Sequence, residues 1–325
     1  MKRNRRDKSL EVVTVGRLPP PVGGVNSSIQ SLLRASNGQR DISLKLIDWT
    51  QMWKLPFWRP DVLHLHFSTP SKRVLGSLIG LLSQAHVVHT VHSNNYDFKK
   101  FGNWLAAYIS SGFILLNNDI MNRFRTRGVA KVALMTPIMA DTISQRSLQL
   151  DIELEKWFER QEGNVAVVYC YDRREYNGDD IYGFSFVAGL LPILEKRNWS
   201  VLFLDPNGHY ASGELFTEGT PNALLRSSHV EFAAILPHTS AYLRPTATDG
   251  NSVAVLEALN AGVSVIASDV VPRPRGVHLY RFRDQESFLE ALSKVSDPTA
   301  DPVALRLTTF DEYAEFLVSL QDNRN

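Results

Sequence analysis

The sequence predicts an α/β protein made of two doubly wound parallel-sheet (Rossmann-like) domains. Short apolar runs alternate with helical patterns along the chain, the arrangement of parallel strands joined by crossover helices. At 325 residues the chain is long for one hydrophobic core and comfortable for two. A charged, polar stretch over 151–163 separates two series of such runs and reads as a helical linker.

In the first series, residues 11–15 form the opening strand and 19–28 its loop, with a helix over 28–35. Residues 42–47, 62–67, 86–92 and 113–116 add strands, and 132–135 closes the sheet. The second series opens at 165–171 and continues through 200–204, 241–244 and 263–268, with 279–282 as its last strand. Helices over 284–295 and 309–320 complete the chain. The domains so drawn are a basic tail (1–10), a first domain (11–150), the linker (151–163), a second domain (164–305) and a C-terminal helix (306–325).

Composition narrows the function. Hydrophobic residues make up 44% and charged residues 21%, an ordinary globular balance. A formal net charge of +1 gives no reason to expect nucleic-acid binding. Cys170 is the only cysteine, so no intrachain disulfide forms and a reducing, cytoplasmic compartment is expected. No apolar run reaches the length of a membrane span, and no signal-peptide core follows the first residues. The start is basic, with Lys2, Arg3, Arg5, Arg6 and Lys8 against Asp7. Such a tail is usually a solvated terminus; the sharper reading is peripheral attraction to the anionic inner face of a membrane.

The most informative stretch runs from Leu243 to Asp269 and reads as strand, loop, helix, turn, strand. Asp249 sits in the loop beside Gly250 and Asn251, and Ser252 is a good N-cap for the helix that follows. Glu257 falls mid-helix among Val253, Val255, Leu256, Ala258 and Leu259. A carboxylate in so apolar a helix needs a partner, because an unpaired buried charge is costly. A helix N-terminus beside a glycine is also a natural anion seat. One loop and helix therefore offer a phosphate seat and two acids, the equipment of a nucleotide-sugar site.

These residues resemble the C-terminal-domain signature of family 4 retaining glycosyltransferases, in a bacterial polysaccharide-type sub-group. The resemblance is carried by Arg244-Pro-Thr246, Asp249-Gly-Asn-Ser-Val253, Glu257-Ala-Leu259 and Pro272-Arg-Pro274. It implies the GT-B fold, with two domains facing across a cleft and the last helix returning to the first domain. It also implies transfer of a sugar from a nucleotide diphosphate sugar to a glycan or lipid-linked glycan hydroxyl, with no bound metal and no further cofactor. Asp249 would lie at the donor sugar and Glu257 would bind the ribose, with Gly250, Asn251 and Ser252 between them. Ser264 stands where the family usually has proline, and Arg275 where it commonly has glutamate.

In the first domain, Gly23-Gly24 follows the first strand and lets the backbone approach a ligand closely. The full G-x-G-x-x-G fingerprint is absent, which argues against a nicotinamide enzyme. The resemblance directs this loop toward donor diphosphate and acceptor. Histidines crowd two strands: His64 and His66 on one, His86, His89 and His92 on the other. Most read as half-buried strand residues, and no H-E-x-x-H or CxxC supports a metal site. His92 matches the strand ending of the family, whose histidine would hydrogen-bond the donor sugar; His66 is a weaker candidate.

Phosphate neutralisation fits the resemblance least well. The family places an Arg and a Lys in the first loop of the second domain; here Arg173 and Arg174 supply charge, and Ile181-Tyr182 stand where the lysine would fall. Arg244 and Arg273 flank the signature helix and could substitute, with structural pairing to Asp249 or Asp269 as the competing reading. Trp49, Trp53, Phe57 and Trp58, interleaved with Lys54 and Arg59, either pack a loop onto the sheet or form a membrane-interface surface. A catalytically degenerate homologue acting as a scaffold is the alternative function, and a sugar-nucleotide epimerase the third.

Overall fold

A computed structural model describes residues 9–19, 23–92, 96–129, 131–145, 149–170, 172–210, 215–217, 220–296 and 305–321. Residues 1–8 of the basic tail, Pro20–Val22 of the first loop and Tyr171 lie outside the described residues. The chain divides into two compact units, Met1–Ser144 with Leu307–Asn325, and Gln145–Arg306. No helix among the described residues is long and apolar enough to cross a membrane.

The first unit carries β1 (Leu10–Val15), α1 (Gly24–Ala35), β2 (Ile42–Ile47), α2 (Leu55–Trp58), β3 (Val62–Leu65) and α3 (Pro70–Leu82). There follow β4 (His86–Val91), α4 (Phe101–Ile109), β5 (Gly112–Leu115), α5 (Asn118–Thr126) and β6 (Val132–Leu134). All six strands are parallel, in the order β2-β1-β3-β4-β5-β6. The central strands β3, β4 and β5 are buried along their whole length, as strands covered on both faces must be.

The second unit carries α6 (Ile152–Glu159), β7 (Asn164–Tyr169), the short ribbon β8 (Glu175–Tyr176) and β9 (Asp179–Asp180), and α7 (Phe184–Lys196). It continues with β10 (Trp199–Leu204), β11 (Ala223–Arg226), α8 (Phe232–Ile235), β12 (Ala241–Arg244), α9 (Val253–Asn260), β13 (Ser264–Ser268), β14 (Val277–Tyr280) and α10 (Gln285–Ser293). Its main sheet is also six-stranded and parallel, in the order β11-β10-β7-β12-β13-β14. Aromatic residues Phe184, Phe203, Tyr280 and Phe288 centre one core cluster, and Val167, Leu202, Tyr242 and Val265 another.

Helix starts follow their capping residues. Asp151 accepts from Leu154 N at 3.0 Å and opens α6, which buries Leu154 and Phe158 in the second unit. Thr309 and Glu312 form a capping box at the start of the last helix, α11 (Phe310–Ser319). This helix belongs to the first unit, where Phe310, Tyr313 and Leu317 pack with Val12, Leu32 and Ile114.

Three details differ from the sequence reading. The first helix starts at Gly24, four residues earlier than expected, because Gly23 takes an extended N-cap conformation without needing a side-chain cap. The last strand of the second sheet is Val277–Tyr280: Gly276, at φ 87°, turns the chain so that Val277 pairs with Val265, and Arg283, at φ 60°, lies in the turn beyond it. The strand Ala223–Arg226 was not anticipated; it is a half-buried edge strand of only four residues.

Candidate functional site

In the second unit, the chain steps outward from β7 through β10 to β11, then returns to β12 and proceeds the other way. Open parallel sheets bind ligands at such a switch point, outside the carboxyl ends of the two strands. Here those ends lead into the loop from Cys170 to Gly183 and the loop from Pro245 to Ser252. Ala247 N donates to Ile181 O at 2.8 Å, tying the two loops together. Gly183 makes the close approach possible. Its φ is 69°, and a Cβ there would overlap the carbonyl oxygen of Pro245.

Asp249 is the electrostatic hub of the second loop. Oδ1 accepts from Arg244 Nη2 and Gly250 N, each at 2.9 Å. Oδ2 accepts from Arg244 Nε at 2.9 Å and Arg273 Nη1 at 2.6 Å. Burial alone would raise the carboxyl pKa, but the two guanidinium groups overcome it and hold it at about 2. A carboxylate offers about four lone-pair sites, and these four donors fill them. Asp249 thus clamps the loop through both carboxylate oxygens. Arg244 and Arg273 are both engaged in that clamp. Arg273 Nη2 also donates to Thr246 Oγ1 at 3.1 Å.

The clamp sets the start of α9. Ser252 Oγ caps it by accepting from Val255 N at 3.4 Å, and Gly250 and Asn251 lead into it half-buried. Glu257, also half-buried, lies between the buried Leu256 and Ala258 and bears electrostatically on Tyr169, the last residue of β7. The second acid thus reaches the switch point from the helix. Arg275 is exposed ahead of β14, and Ser264 opens β13 opposite Ala241.

The two loop arginines differ. Arg174 Nε lies 2.5 Å from Asp172 Oδ2, on a side chain that is 67% exposed. Arg173 instead stacks over the Tyr210 ring, 5.2 Å from its centre. Tyr210 is itself anchored, donating from its hydroxyl to Asp180 Oδ1 at 3.0 Å. Asp180 also accepts from Tyr182 N and Ser185 N and so fixes the entry into α7. The sequence reading missed this Asp180–Tyr210 support. Its only local signal was an acid three residues before the helix-opening glycine.

In the first unit the switch point lies between β1 and β3. Gly23 and Gly24 open α1 after β1, and a Cβ on Gly24 would meet nothing within 4 Å. His66 follows β3 and His92 follows β4, and His66 Nδ1 lies 2.9 Å from His92 Nε2. His66 is therefore as much a part of this cluster as His92. Its Nε2 is buried with no hydrogen-bond partner among the described residues. Burial, helped by Arg73, pushes His92 down to about 4; burial and the neighbouring imidazoles push His66 well below its ordinary value.

His64 and His89 are structural. His64 bridges Tyr313 Oη at 2.9 Å and Thr90 Oγ1 at 2.7 Å, and His89 Nε2 meets Ser77 Oγ at 2.9 Å. Among the described residues, no group of three or more His, Cys, Asp or Glu side chains is arranged to hold a metal ion.

No known family matches the sequence, and no curated protein matches it. Solved structures match it along nearly its whole length. The Anabaena protein HepE in complex with UDP and glucose aligns with a TM-score of 0.64 at 10% identity, over 97% of this chain and 100% of that one. A UDP-N-acetylglucosamine 2-epimerase aligns with a TM-score of 0.59 at 13% identity, over 96% and 91% of the two chains. Sucrose-phosphate synthase from Thermosynechococcus elongatus gives 0.55 at 13%, over 95% and 94%. At such identities the likeness shows the fold, and the fold is GT-B.

Proposed function

We propose that the protein is a glycosyltransferase that moves a sugar from a nucleoside diphosphate donor to a hydroxyl of a glycan, free or lipid-linked, with retention at the anomeric carbon. The observation that carries this reading is Glu257, half-buried on α9 beside the last residue of the switch-point strand, behind a loop rigidly clamped through Asp249. A ribose hydroxyl pair is a fitting ligand for such an acid, and the UDP bound by the similar HepE structure supports it. Asn251 and Ser252, at the start of α9, would present backbone N–H groups to the diphosphate, with Gly250 held against Asp249. Arg173 would add charge there, standing in for a metal ion.

In the first unit, Gly23 and Gly24 would allow close backbone approach. His92, oriented by His66, would hydrogen-bond the sugar. The bond from the anomeric carbon to the phosphate oxygen breaks while a bond to the acceptor oxygen forms on the same face. The acceptor proton passes to the departing phosphate, so no separate protein base is required. A nucleotide-sugar donor and a single cysteine fit a cytoplasmic protein, and an acceptor carried on a lipid would bring it to a membrane surface.

Epimerisation of a UDP-sugar is the second reading, favoured by the epimerase among the similar structures. The test begins with thermal unfolding of wild type and Glu257→Ala in the presence of UDP, GDP, ADP and their sugars. Native-state binding raises the unfolding temperature. One nucleotide stabilising wild type and not the variant supports the donor site. No shift with any nucleotide at millimolar concentration overturns it and leaves the scaffold reading. Product analysis with the stabilising sugar nucleotide then separates transfer from epimerisation.

A further inference from the structure

Two neighbouring helices of the first unit are built inside out. Helix α3 turns Gly76, Ser77, Gly80 and Arg73 toward the protein and leaves its leucines in water. Helix α4 does the same: Asn103 and Ala106 are buried, while its large aromatic residues are exposed. The layer beneath is polar. Arg73 Nη1 donates to Asn103 Oδ1 at 2.7 Å, and Ser77 Oγ meets Ser110 Oγ at 3.0 Å. The two helices pack side by side, so their outer faces are contiguous.

That outer face carries Leu75, Leu78 and Leu82 from α3 and Phe101, Trp104 and Tyr108 from α4, with Leu82 72% and Tyr108 79% exposed. The aromatic rings form a stacked ladder, with centroids 5.9 Å apart for Phe101 and Trp104 and 6.0 Å for Trp104 and Tyr108. Trp53 and Phe57, on a segment that packs against α3, are also exposed, whereas Trp49 packs inward against Phe67. A monomeric protein rarely exposes so much contiguous apolar surface without a use for it.

Charge selects the occupant. Residues 49–58, 70–82 and 101–109 contain no Asp or Glu, and Lys54, Lys72, Lys99 and Lys100 lie on or beside them. Immediately ahead of α4 is a cavity of about 390 Å³ whose lining includes Lys99, Arg123 and Arg127 against the single acid Asp97. Two copies meeting through this face would set their cations against each other. An anionic bilayer would instead take Trp and Tyr at its interface, leucines below it and lysines among its headgroups.

We propose that the outward face of α3 and α4 is a docking surface for an anionic lipid bilayer, with the Lys99–Arg123–Arg127 cavity receiving a headgroup phosphate. This inference stands apart from the donor site and has its own readout. Full-length protein is sedimented with phosphatidylglycerol-rich vesicles and with pure phosphatidylcholine vesicles, as wild type and as the double variant Leu78→Glu, Trp104→Glu. Both positions are exposed, and an unchanged unfolding temperature establishes that the variant folds. Wild type is expected to pellet with the anionic vesicles, and the double variant to partition about tenfold less or weaker still. A second variant, Lys99→Glu with Lys100→Glu, is expected to lose the preference for anionic over neutral lipid.

Wild type left in the supernatant with both vesicles overturns the proposal. So does undiminished binding by the leucine–tryptophan variant, which would place the attraction elsewhere, such as residues 2–8. A dimer seen by light scattering that this variant dissociates, without vesicle binding, overturns it in favour of a second copy.

Discussion

Arg273 Nη1 lies 2.6 Å from Asp249 Oδ2, joining the loop after β13 to the loop after β12 by an ion pair whose side chains are 2% and 8% exposed. Arg244 completes the clamp on the other carboxylate edge. Buried charges of this kind are costly to uncover: removing one partner of such a pair costs about 3–5 kcal/mol, because the remaining charge stays desolvated. Asp249→Asn is expected to lose that much stability in denaturant unfolding and to lose nucleotide-induced stabilisation with it. Adding Arg273→Met to Asp249→Asn should recover part of the stability and none of the nucleotide response. Full stability in Asp249→Asn would show the clamp to be dispensable.

The two loop arginines should separate in kinetics. Arg174 is already paired with Asp172 in water, and such exposed pairs contribute little. Arg173 is held over Tyr210. A charge-assisted hydrogen bond to phosphate is worth about 1.5–3 kcal/mol. Arg173→Ala should therefore lower kcat/KM for transfer by about tenfold to a hundredfold, and Arg174→Ala by less than about threefold. Equal effects would remove the special role of Arg173. Excess chelator should leave the wild-type rate unchanged if arginine supplies the charge that other enzymes draw from a metal.

The buried histidines predict acid sensitivity. Burial holds His64 and His89 at about 3 and His92 at about 4, with His66 also well below its ordinary value. In the unfolded chain each titrates near the usual value of about 6.5. Folded pKa values are depressed, so the unfolded state binds more protons below pH ~6.5 and acid favours unfolding. Stability should be flat above that pH and fall between it and ~4, with a slope approaching about 5 kcal/mol per pH unit when all four differ in protonation. Urea midpoints from pH 8 to pH 5 test this. His89→Gln should make the fall shallower by one proton, and a midpoint constant across the range would exclude the mechanism.

Much of this fold was legible because its signals are local. The apolar runs that became β1, β4, β7 and β10 stand out in the sequence, and Ser252, Asp284 and Thr309 mark helix starts by side-chain chemistry alone. What stayed hidden depends on tertiary geometry. Pairing of Arg273 to Asp249 or to Asp269 was open in the sequence, and only the parallel pairing of β12 with β13 decides for Asp249, 24 residues away. His66 looked secondary until strand order placed it beside His92. The ribbon at Glu175–Asp180 and the Asp180–Tyr210 bond gave no periodic pattern. The exposed leucines of α3 run against the ordinary pattern, in which a helix buries its apolar face.

The close seating of α3 gives the last prediction. Replacing a mid-helix glycine by alanine ordinarily stabilises a protein by about 0.5–1 kcal/mol, since glycine loses more backbone freedom on folding. At Gly80 the sign should reverse. A Cβ there would overlap Val87 Cγ2 and approach Leu63 Cδ2 to 3.2 Å. Val87 is fully buried in a central strand, and its β-branched side chain has few rotamers to escape into. The helix must lift or the strand must yield, at a cost of about 1–3 kcal/mol for an overpacked core. Gly80→Ala should lower the denaturant midpoint accordingly. Val87→Ala alone should destabilise by opening a cavity, yet the two together should cost less than their sum, because the added Cβ at position 80 enters the space that Val87→Ala vacates. Simple additivity, or a more stable Gly80→Ala, would mean that α3 moves off the sheet freely, and that its small-residue face is not what holds it there.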